Sequence, residues 1–457
     1  MASKKGKKNI WNLIDNFEGD KVIWMIVLIL IMISILAVSS STPLLAIMQN
    51  TDRAAIIKDQ LMIAGVGLVI IILIYNIRSI WVFRELSQLG FIVSFILLMF
   101  LFTGVNLPFM KAVNINGAVR ALQIGGFQLH VFEFVKIMMV MYLAWAVNTY
   151  ENDKFMIANV LGKTDTFKFL NKDIWKKIIY IYVPILIVCV LLMNGSMSSM
   201  IFIGFIMVVT ILIGGIKIKE LVPVGVIAVI VIAGCVGIAE VSGGKYFNRV
   251  YTAAGRLTMF SEDPEEELLK IPKNTKEFYD ELDKVRQPIS AKVAVSEGGL
   301  FGKGPGKSTQ RYIVPVMFED YMFSFIIEEY GIFGAIIILI LFCSLLARGS
   351  LVVRNCNNSF AKTAVAGLVI LISGQAFMHM LINVDLGPMT GQTLPMISHG
   401  KSAFLAFSIA FGIILAISRM AKTNIDKETR QAKPILEATD EVKASLDDLD
   451  MIDNIEQ

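Results

Sequence analysis

Charge is scarce in this chain. Only 18% of its 457 residues are Asp, Glu, Lys or Arg, against 55% in the hydrophobic set and a mean hydropathy of +0.67. A soluble protein of this length could not hide so much apolar surface, which excludes a compact cytosolic enzyme. Twelve prolines and 34 glycines are too few for a low-complexity or collagen-like chain. The four cysteines, Cys189, Cys235, Cys343 and Cys356, show no paired spacing, so neither a disulfide framework nor a zinc site is expected. A net charge of +4 is too small to point to nucleic acid, and no such partner is expected. The remaining class is an all-α polytopic membrane protein.

A helix needs about 20 apolar residues to cross the hydrocarbon core. Such cores lie near Val22–Val38, Leu61–Ile77, Leu86–Leu107, Ile124–Val147, Leu221–Ala239, Tyr321–Ala347, Thr363–Val384 and Ser402–Ser418. The uncharged stretch Ile178–Ile216 is long enough for two spans, with a tight hairpin at Asn194-Gly195-Ser196. The expectation is therefore about ten spans. Lys4, Lys5, Lys7 and Lys8 ahead of an apolar run resemble a signal peptide, but Lys21 to Asp52 is too long for a typical h-region and reads as a retained first span. The short loop with Lys154, Lys163, Lys168, Lys172, Lys176 and Lys177 falls inside if the N-terminus is inside, so both termini are expected to be cytoplasmic. The organisation expected is a basic tail (1–21), a ten-span domain (22–420) with a large extracytoplasmic loop (240–320), and a tail (421–457) that ends acidic. That tail is either a solvated segment or a docking element.

So long a loop in a compact protein is usually functional. Its middle, Ser261–Arg286, has the spacing of a surface helix, and Gly298–Ser308 is dense in glycine. The glycine cluster fits the Walker pattern G-x-x-x-x-G-K-S/T only loosely, and no parallel strand precedes it. Its backbone could approach a pyrophosphate while Lys303, Lys307 and Arg311 supply charge, or it could be merely flexible.

Carboxylates in or near spans carry the remaining chemistry. Asp320 lies where the long loop enters the eighth span, a suitable place for a general base acting on a lipid headgroup, or for an interfacial ion pair; Glu319 is its neighbour and rival. Glu328 and Glu329 lie about 12–13 Å deeper at 1.5 Å per residue, and at most one should share a cavity with Asp320. Glu133 and Lys136, at i,i+3 in the fourth span, can pair on one helix face, and Arg120 just outside could add charge. Gly374–Ser402 is irregular between two spans and so should line protein or a wet cavity, where Lys401 and His399 could meet an anion.

Three blocks together make the chain resemble the SEDS (shape, elongation, division and sporulation) family over nearly all ten spans. The first is Asn116-Gly-Ala-Val-Arg120 with Glu133 and Lys136. The second is Gly298-Gly-Leu-Phe-Gly-Lys-Gly304, then Pro315, Asp320, Glu328, Glu329, Gly331 and Gly334. The third is Asn383, Pro388, Thr390-Gly391, then Leu394-Pro-x-Ile-Ser398-x-Gly400. The resemblance implies a peptidoglycan glycosyltransferase polymerising lipid II at the outer face of the bacterial cytoplasmic membrane, with Asp320 as general base and undecaprenyl pyrophosphate as leaving group. Arg120, Lys136, Lys303 and Arg249, or a divalent cation (Mg or Mn), would offset the leaving charge. Glu133, Ser398 and Lys401 join the implied substrate site.

The implied partners are a single-span class B penicillin-binding transpeptidase and other divisome membrane proteins. Charged tails at both ends favour a division-type member at the division site. Departures from the family pattern fall at His130-Val131-Phe132, Arg120-Ala121, Phe318-Glu319 and Ser398-His399-Gly400-Lys401, around the charged positions rather than at them. Two other classes stay open. A lipid-linked precursor flippase would need a polar path such as Glu133, Lys136, Glu328 and Glu329. A division scaffold would act through its tails.

Overall fold

The structure, a computed structural model, describes residues 18–115, 118–155, 172–242, 270–273, 275–314 and 317–422. Both tails beyond these bounds, Arg249, and the motif residues Asn116, Gly117 and Pro315 lie outside the described residues. Among the described residues nine helices are long and apolar enough to cross a membrane. With the shorter Met197–Ile213 they make ten in series, and the chain is a multi-pass membrane protein.

Helix α1 (Lys21–Ser41) starts where Asp20 accepts hydrogen bonds from the amides of Val22 and Ile23 at 2.9 and 3.1 Å. That cap satisfies donors a membrane could not hydrate. A short helix, α2 (Pro43–Met48), turns the chain back into α3 (Arg53–Tyr75). Helix α4 (Ile80–Thr103) ends on Gly104 in the left-handed region, φ 64°.

The fourth span starts later than expected. Residues Ile124–His130, read from hydropathy as helix, belong instead to a three-stranded antiparallel sheet, β1 (Met110–Ile115), β2 (Ala118–Ile124) and β3 (Phe127–His130). Gly125 and Gly126 form a two-residue hairpin between β2 and β3, Gly125 at φ 60°, a geometry that suits glycine pairs. The sheet docks on the bundle through Ser402, whose hydroxyl donates to the Gln128 carbonyl (2.7 Å) and accepts from the His130 amide (3.0 Å).

Helix α5 (Val131–Glu151) follows directly. The expected double span is two helices, α6 (Asp173–Gly195) and α7 (Met197–Ile213), meeting at Ser196, whose hydroxyl accepts from the Ser199 amide. Helix α8 (Ile218–Val241) stands apart, with only Cys235 and Ala239 buried. The loop helix α9 (Lys276–Gly298) starts where the Thr275 hydroxyl accepts from the Phe278 amide and runs past the expected end at Arg286 up to the glycine cluster; residues 261–269 of the expected surface helix lie outside the described residues. Then come α10 (Met322–Asn355), α11 (Ser359–Asn383) and α12 (Lys401–Lys422). Helices α5, α11 and α12 are enclosed by their neighbours; Gly367 of α11 packs so closely on Val140 and Thr210 that a methyl there would stand 2.6 Å from Val140.

Helix α10 is broken at Gly331 (φ 70°, ψ −168°). The glycine-rich loop inserts there: the Lys303 and Gly304 amides donate to the Glu328 and Glu329 carbonyls at 2.8 and 2.9 Å, and the Ile332 amide donates back to the Gly299 carbonyl at 3.0 Å. Backbone meets backbone so closely that a methyl on Gly302 would lie 2.3 Å from the Glu329 carbonyl oxygen. Glycine is needed for that approach.

Candidate active site

Asp320 sits in the turn that leads into α10, half-buried, at the sheet end of the bundle. Its main chain is held by α11, where Asn383 Nδ2 donates to the Asp320 carbonyl at 3.1 Å. Its carboxylate lies against the loop between α11 and α12: a methyl built on Gly391 would stand 3.6 Å from Asp320 Oδ2. Gly391 is in the left-handed region at φ 64°.

The next residue of that loop reaches the cation. Lys136 of α5 is buried, and its ammonium donates to Glu133 Oε1 (2.8 Å), Gln375 Oε1 (2.7 Å) and Gln392 Oε1 (2.9 Å). All three ammonium donors are thereby used, which is what makes a buried lysine tolerable in a membrane. Gln392 Nε2 donates on to Ser199 of α7 at 2.9 Å. Thus Gly391 abuts the Asp320 carboxylate and its neighbour Gln392 binds Lys136. Arg120 on β2 stands over the α6–α7 hairpin, its Nε donating to the Gly195 carbonyl at 2.9 Å.

Two buried oxygens at this place have no hydrogen-bond partner among the described residues, Glu133 Oε2 and Thr390 Oγ1. A buried polar atom left unpaired is costly, so such atoms mark where a ligand, water or ion completes the set. One is a carboxylate acceptor, the other a hydroxyl beside Gly391.

Glu319 is not equivalent to Asp320. Burial first, and the neighbouring Asp320 charge second, push its carboxyl up to about 8, so it is protonated at neutral pH. Ser398, expected in the substrate site, spends its hydroxyl on the Glu319 carbonyl (2.8 Å) and accepts from the Leu394 amide (2.9 Å), bracing the loop. His399 is buried with Nδ1 2.9 Å from Gln60 Oε1; burial and Lys401 pull its pKa down to about 4, leaving it neutral. Lys401 pairs with Asp59 of α3 at 2.9 Å, largely in the open.

Glu328, Glu329 and Lys303 are hydrogen-bonded to one another or to the glycine-rich loop. Both glutamates are fully buried and hold the glycine-rich loop. Glu328 Oε1 accepts from Lys303 Nζ and the Thr309 amide, each at 2.8 Å, and Glu328 Oε2 accepts from the Ser308 hydroxyl. Glu329 Oε1 accepts from Ser40 Oγ (2.6 Å) and the Gly306 amide (2.9 Å), with Arg311 at 3.8 Å. Lys303 also pairs with Glu297; burial would lower its pKa, but the two glutamates raise it. Amides of the glycine-rich loop expected to cradle a pyrophosphate are thus engaged by the protein itself, those of Lys303 and Gly304 by backbone carbonyls and those of Gly306 and Thr309 by carboxylates. Lys307 is exposed.

Residues that the sequence reading did not single out complete the site: Gln375, His379 and Gln392. Gln375, His379 and Asn383 recur every four residues in an otherwise apolar helix, which is the signal that could have found them.

Comparison with known proteins places this geometry in context. The FtsW/RodA/SpoVE family, described as cell cycle proteins, matches residues 20–423. Stage V sporulation protein E of Bacillus subtilis (strain 168) is 26% identical over 404 residues, 88% of this chain and 98% of that protein. A protein of the same organism named probable peptidoglycan glycosyltransferase FtsW is 29% identical over 314 residues, 68% of this chain and 69% of its own length. Among solved structures, the rod shape determining protein RodA of Thermus thermophilus superposes with a TM-score of 0.54 at 18% identity, covering 89% of this chain and 98% of that one. A chain from a structure titled for the coordination of polymerization and crosslinking by a peptidoglycan synthase complex superposes at 0.59 with 19% identity, covering 88% and 98%. These likenesses in structure show the fold.

Proposed function

The chain belongs to the FtsW/RodA/SpoVE family, and from that premise we propose that it is a peptidoglycan glycosyltransferase that polymerises lipid II at the outer face of the bacterial cytoplasmic membrane. The observation that carries this reading is the pairing of Asp320 on one side of Gly391–Gln392 with Lys136 and the open Glu133 oxygen on the other. The Asp320 carboxylate accepts the proton of the acceptor sugar's hydroxyl as that oxygen bonds to the donor's anomeric carbon. The bond from that carbon to the phosphate oxygen breaks, and undecaprenyl pyrophosphate leaves with the electron pair. Lys136 and Arg120 offset its charge. Glu319, protonated at neutral pH, leaves the base role to its neighbour.

A divalent cation fits this place in one way. Among the described residues no three His, Cys, Asp or Glu side chains cluster to hold one alone, but Glu133 Oε2 offers one carboxylate oxygen, with pyrophosphate oxygens supplying others, as magnesium sites commonly use. Bound there, the ion would neutralise the leaving pyrophosphate.

The same reading makes the sheet end extracytoplasmic and both termini cytoplasmic, and it pairs the chain with a single-span class B penicillin-binding transpeptidase at the division site. The lipid-facing apolar surface of α10, including Ile332, Ile336 and Ile340, suits such a helix. The flippase reading is favoured less, because Glu328 and Glu329 are hydrogen-bonded into the glycine-rich loop while Glu133 pairs with Lys136.

The test is polymerisation of lipid II by purified full-length protein, with and without the cognate transpeptidase, followed on gels. Asp320→Asn is expected to lower kcat by about 10³-fold, within the range of general-base contributions, at an unchanged thermal midpoint. Equal activity in mutant and wild type would remove Asp320 from the mechanism.

A further inference from the structure

Helix α11 carries three polar side chains on one face, Gln375, His379 and Asn383, at i, i+4 and i+8. Each is buried, and polar groups buried within a span are costly unless they are paired. Among the described residues their partners across the bundle are parts of the site. Gln375 accepts from Lys136 Nζ at 2.7 Å and donates Nε2 to the Thr393 carbonyl at 2.9 Å. His379 Nδ1 lies 2.7 Å from the Gln392 carbonyl, and its Nε2 accepts from the Phe323 amide at 3.4 Å. Asn383 donates Nδ2 to the Asp320 carbonyl at 3.1 Å and to the His379 carbonyl of its own helix at 2.9 Å, and accepts at Oδ1 from the Ser324 amide at 2.9 Å.

Two consequences follow. An amide can only donate, so His379 Nε2 is the acceptor and the ring proton sits on Nδ1, aimed at Gln392. The first turn of α10, whose amides lack partners within their own helix, is capped from another helix by His379 and Asn383. Asp320 stands immediately before that turn. The ridge spans about 12 Å of rigid helix, at 1.5 Å per residue, from the contact with Lys136 to the contact with Asp320.

We infer that this ridge is a ruler that sets the Asp320 carboxylate in register with the Lys136 ammonium, which makes His379 a positioning residue of the reaction. The inference rests on the proposed polymerase reading. His379 touches no reacting atom; it holds the Gly391–Gln392 loop and the start of α10 at one separation. A shift of about 1 Å between such groups costs about 100-fold in rate.

The experiment is steady-state lipid II polymerisation by the full-length chain carrying His379→Leu, which fills the space and suits an apolar helix, or His379→Asn, which keeps an N–H for Gln392. The Leu variant, assayed well below its own thermal midpoint, is expected to lose about 100-fold in kcat with KM within about threefold; the Asn variant is expected to recover about tenfold of that loss. Wild-type kcat in the Leu variant, equal losses in both variants, or a loss confined to KM would overturn the ruler. Should the Leu variant not fold, the Asn variant decides: a kcat about tenfold down at unchanged KM upholds it, and an unchanged kcat overturns it. Asp320→Asn run alongside separates the two readings. An active Asp320→Asn removes the general-base assignment, whereas an inactive Asp320→Asn beside a fully active His379→Leu removes only the ruler.

Discussion

The molecule holds two constellations of glutamate and lysine at the same end of the bundle, and they are built differently. Around Glu328 and Glu329 three of the four carboxylate oxygens are met by the chain's own donors, from Lys303, Ser308, Thr309, Gly306 and Ser40, and Glu329 Oε2 is left without a partner among the described residues. Around Lys136 every donor is met but an acceptor is left over, Glu133 Oε2, with the Thr390 hydroxyl also unmet beside Gly391. Charge alone does not distinguish the two. The donors do: Glu328 and Glu329 take amides and hydroxyls of the glycine-rich loop and so fasten it, whereas Glu133 takes none of that loop's donors and pairs with Lys136 beside the Gly391–Gln392 loop.

The sharpest break of that comparison is at the fastening itself. A methyl on Gly331 would lie 2.2 Å from the Leu300 carbonyl oxygen, at a φ that disfavours any side chain. Gly331→Ala is expected to abolish recovery of folded protein, read as loss of the monodisperse peak on size exclusion. The milder Glu328→Gln, which weakens one pair, should lower stability by about 3–5 kcal/mol while the protein that folds keeps its kcat. A selective loss of kcat at normal stability would instead make the fastening part of the chemistry.

Lys136→Met tests the open constellation. It removes the ammonium and leaves Glu133, Gln375 and Gln392 to each other. Polymerisation should fall by about 100-fold, since one preorganised donor to a developing charge is worth that much, with both kcat and KM affected. Rescue by Lys136→Arg should be poor, because a guanidinium cannot point three donors at three converging oxygens.

A smaller effect concerns pH. Folding raises the Glu319 pKa from 4.5 to about 8 by burial and by the Asp320 charge. The folded chain therefore keeps a proton that the unfolded chain gives up, so stability is full below pH 4.5, declines as pH rises through the window and levels off above about 8. Thermal midpoints at pH 5 and pH 8.5 should differ less in Glu319→Gln than in wild type; an identical pH slope in both would remove the buried proton. Least of all, Lys401→Ala should leave the polymerisation rate within about twofold, as expected when an exposed ion pair is lost. A tenfold loss would return Lys401 to the substrate site.

Several parts of this arrangement are legible in the residues. The i,i+3 spacing of Glu133 and Lys136 places them on one helix face, and they pair there. The place of Asp320 at the mouth of the eighth span follows from hydropathy. Lys303 and Glu328, by contrast, are 25 residues apart, and no spacing rule brings them together. The hairpin at Gly125–Gly126 was hidden because β2 and β3 are apolar enough to extend a hydropathy window into the fourth span.

What the sequence determined by itself is the membrane class and the succession of spans, because burying backbone in hydrocarbon forces helices of a set length on any apolar run. It also determined which charged side chains are expensive enough to require a purpose. Which purpose each one serves was decided only by the tertiary structure. The role of a carboxylate depends on what several distant segments bring to one point: the glycine-rich loop, α10 and α1 converge on Glu328 and Glu329 with amides and hydroxyls, while α5, α11 and the Gly391–Gln392 loop converge on Lys136 with acceptors.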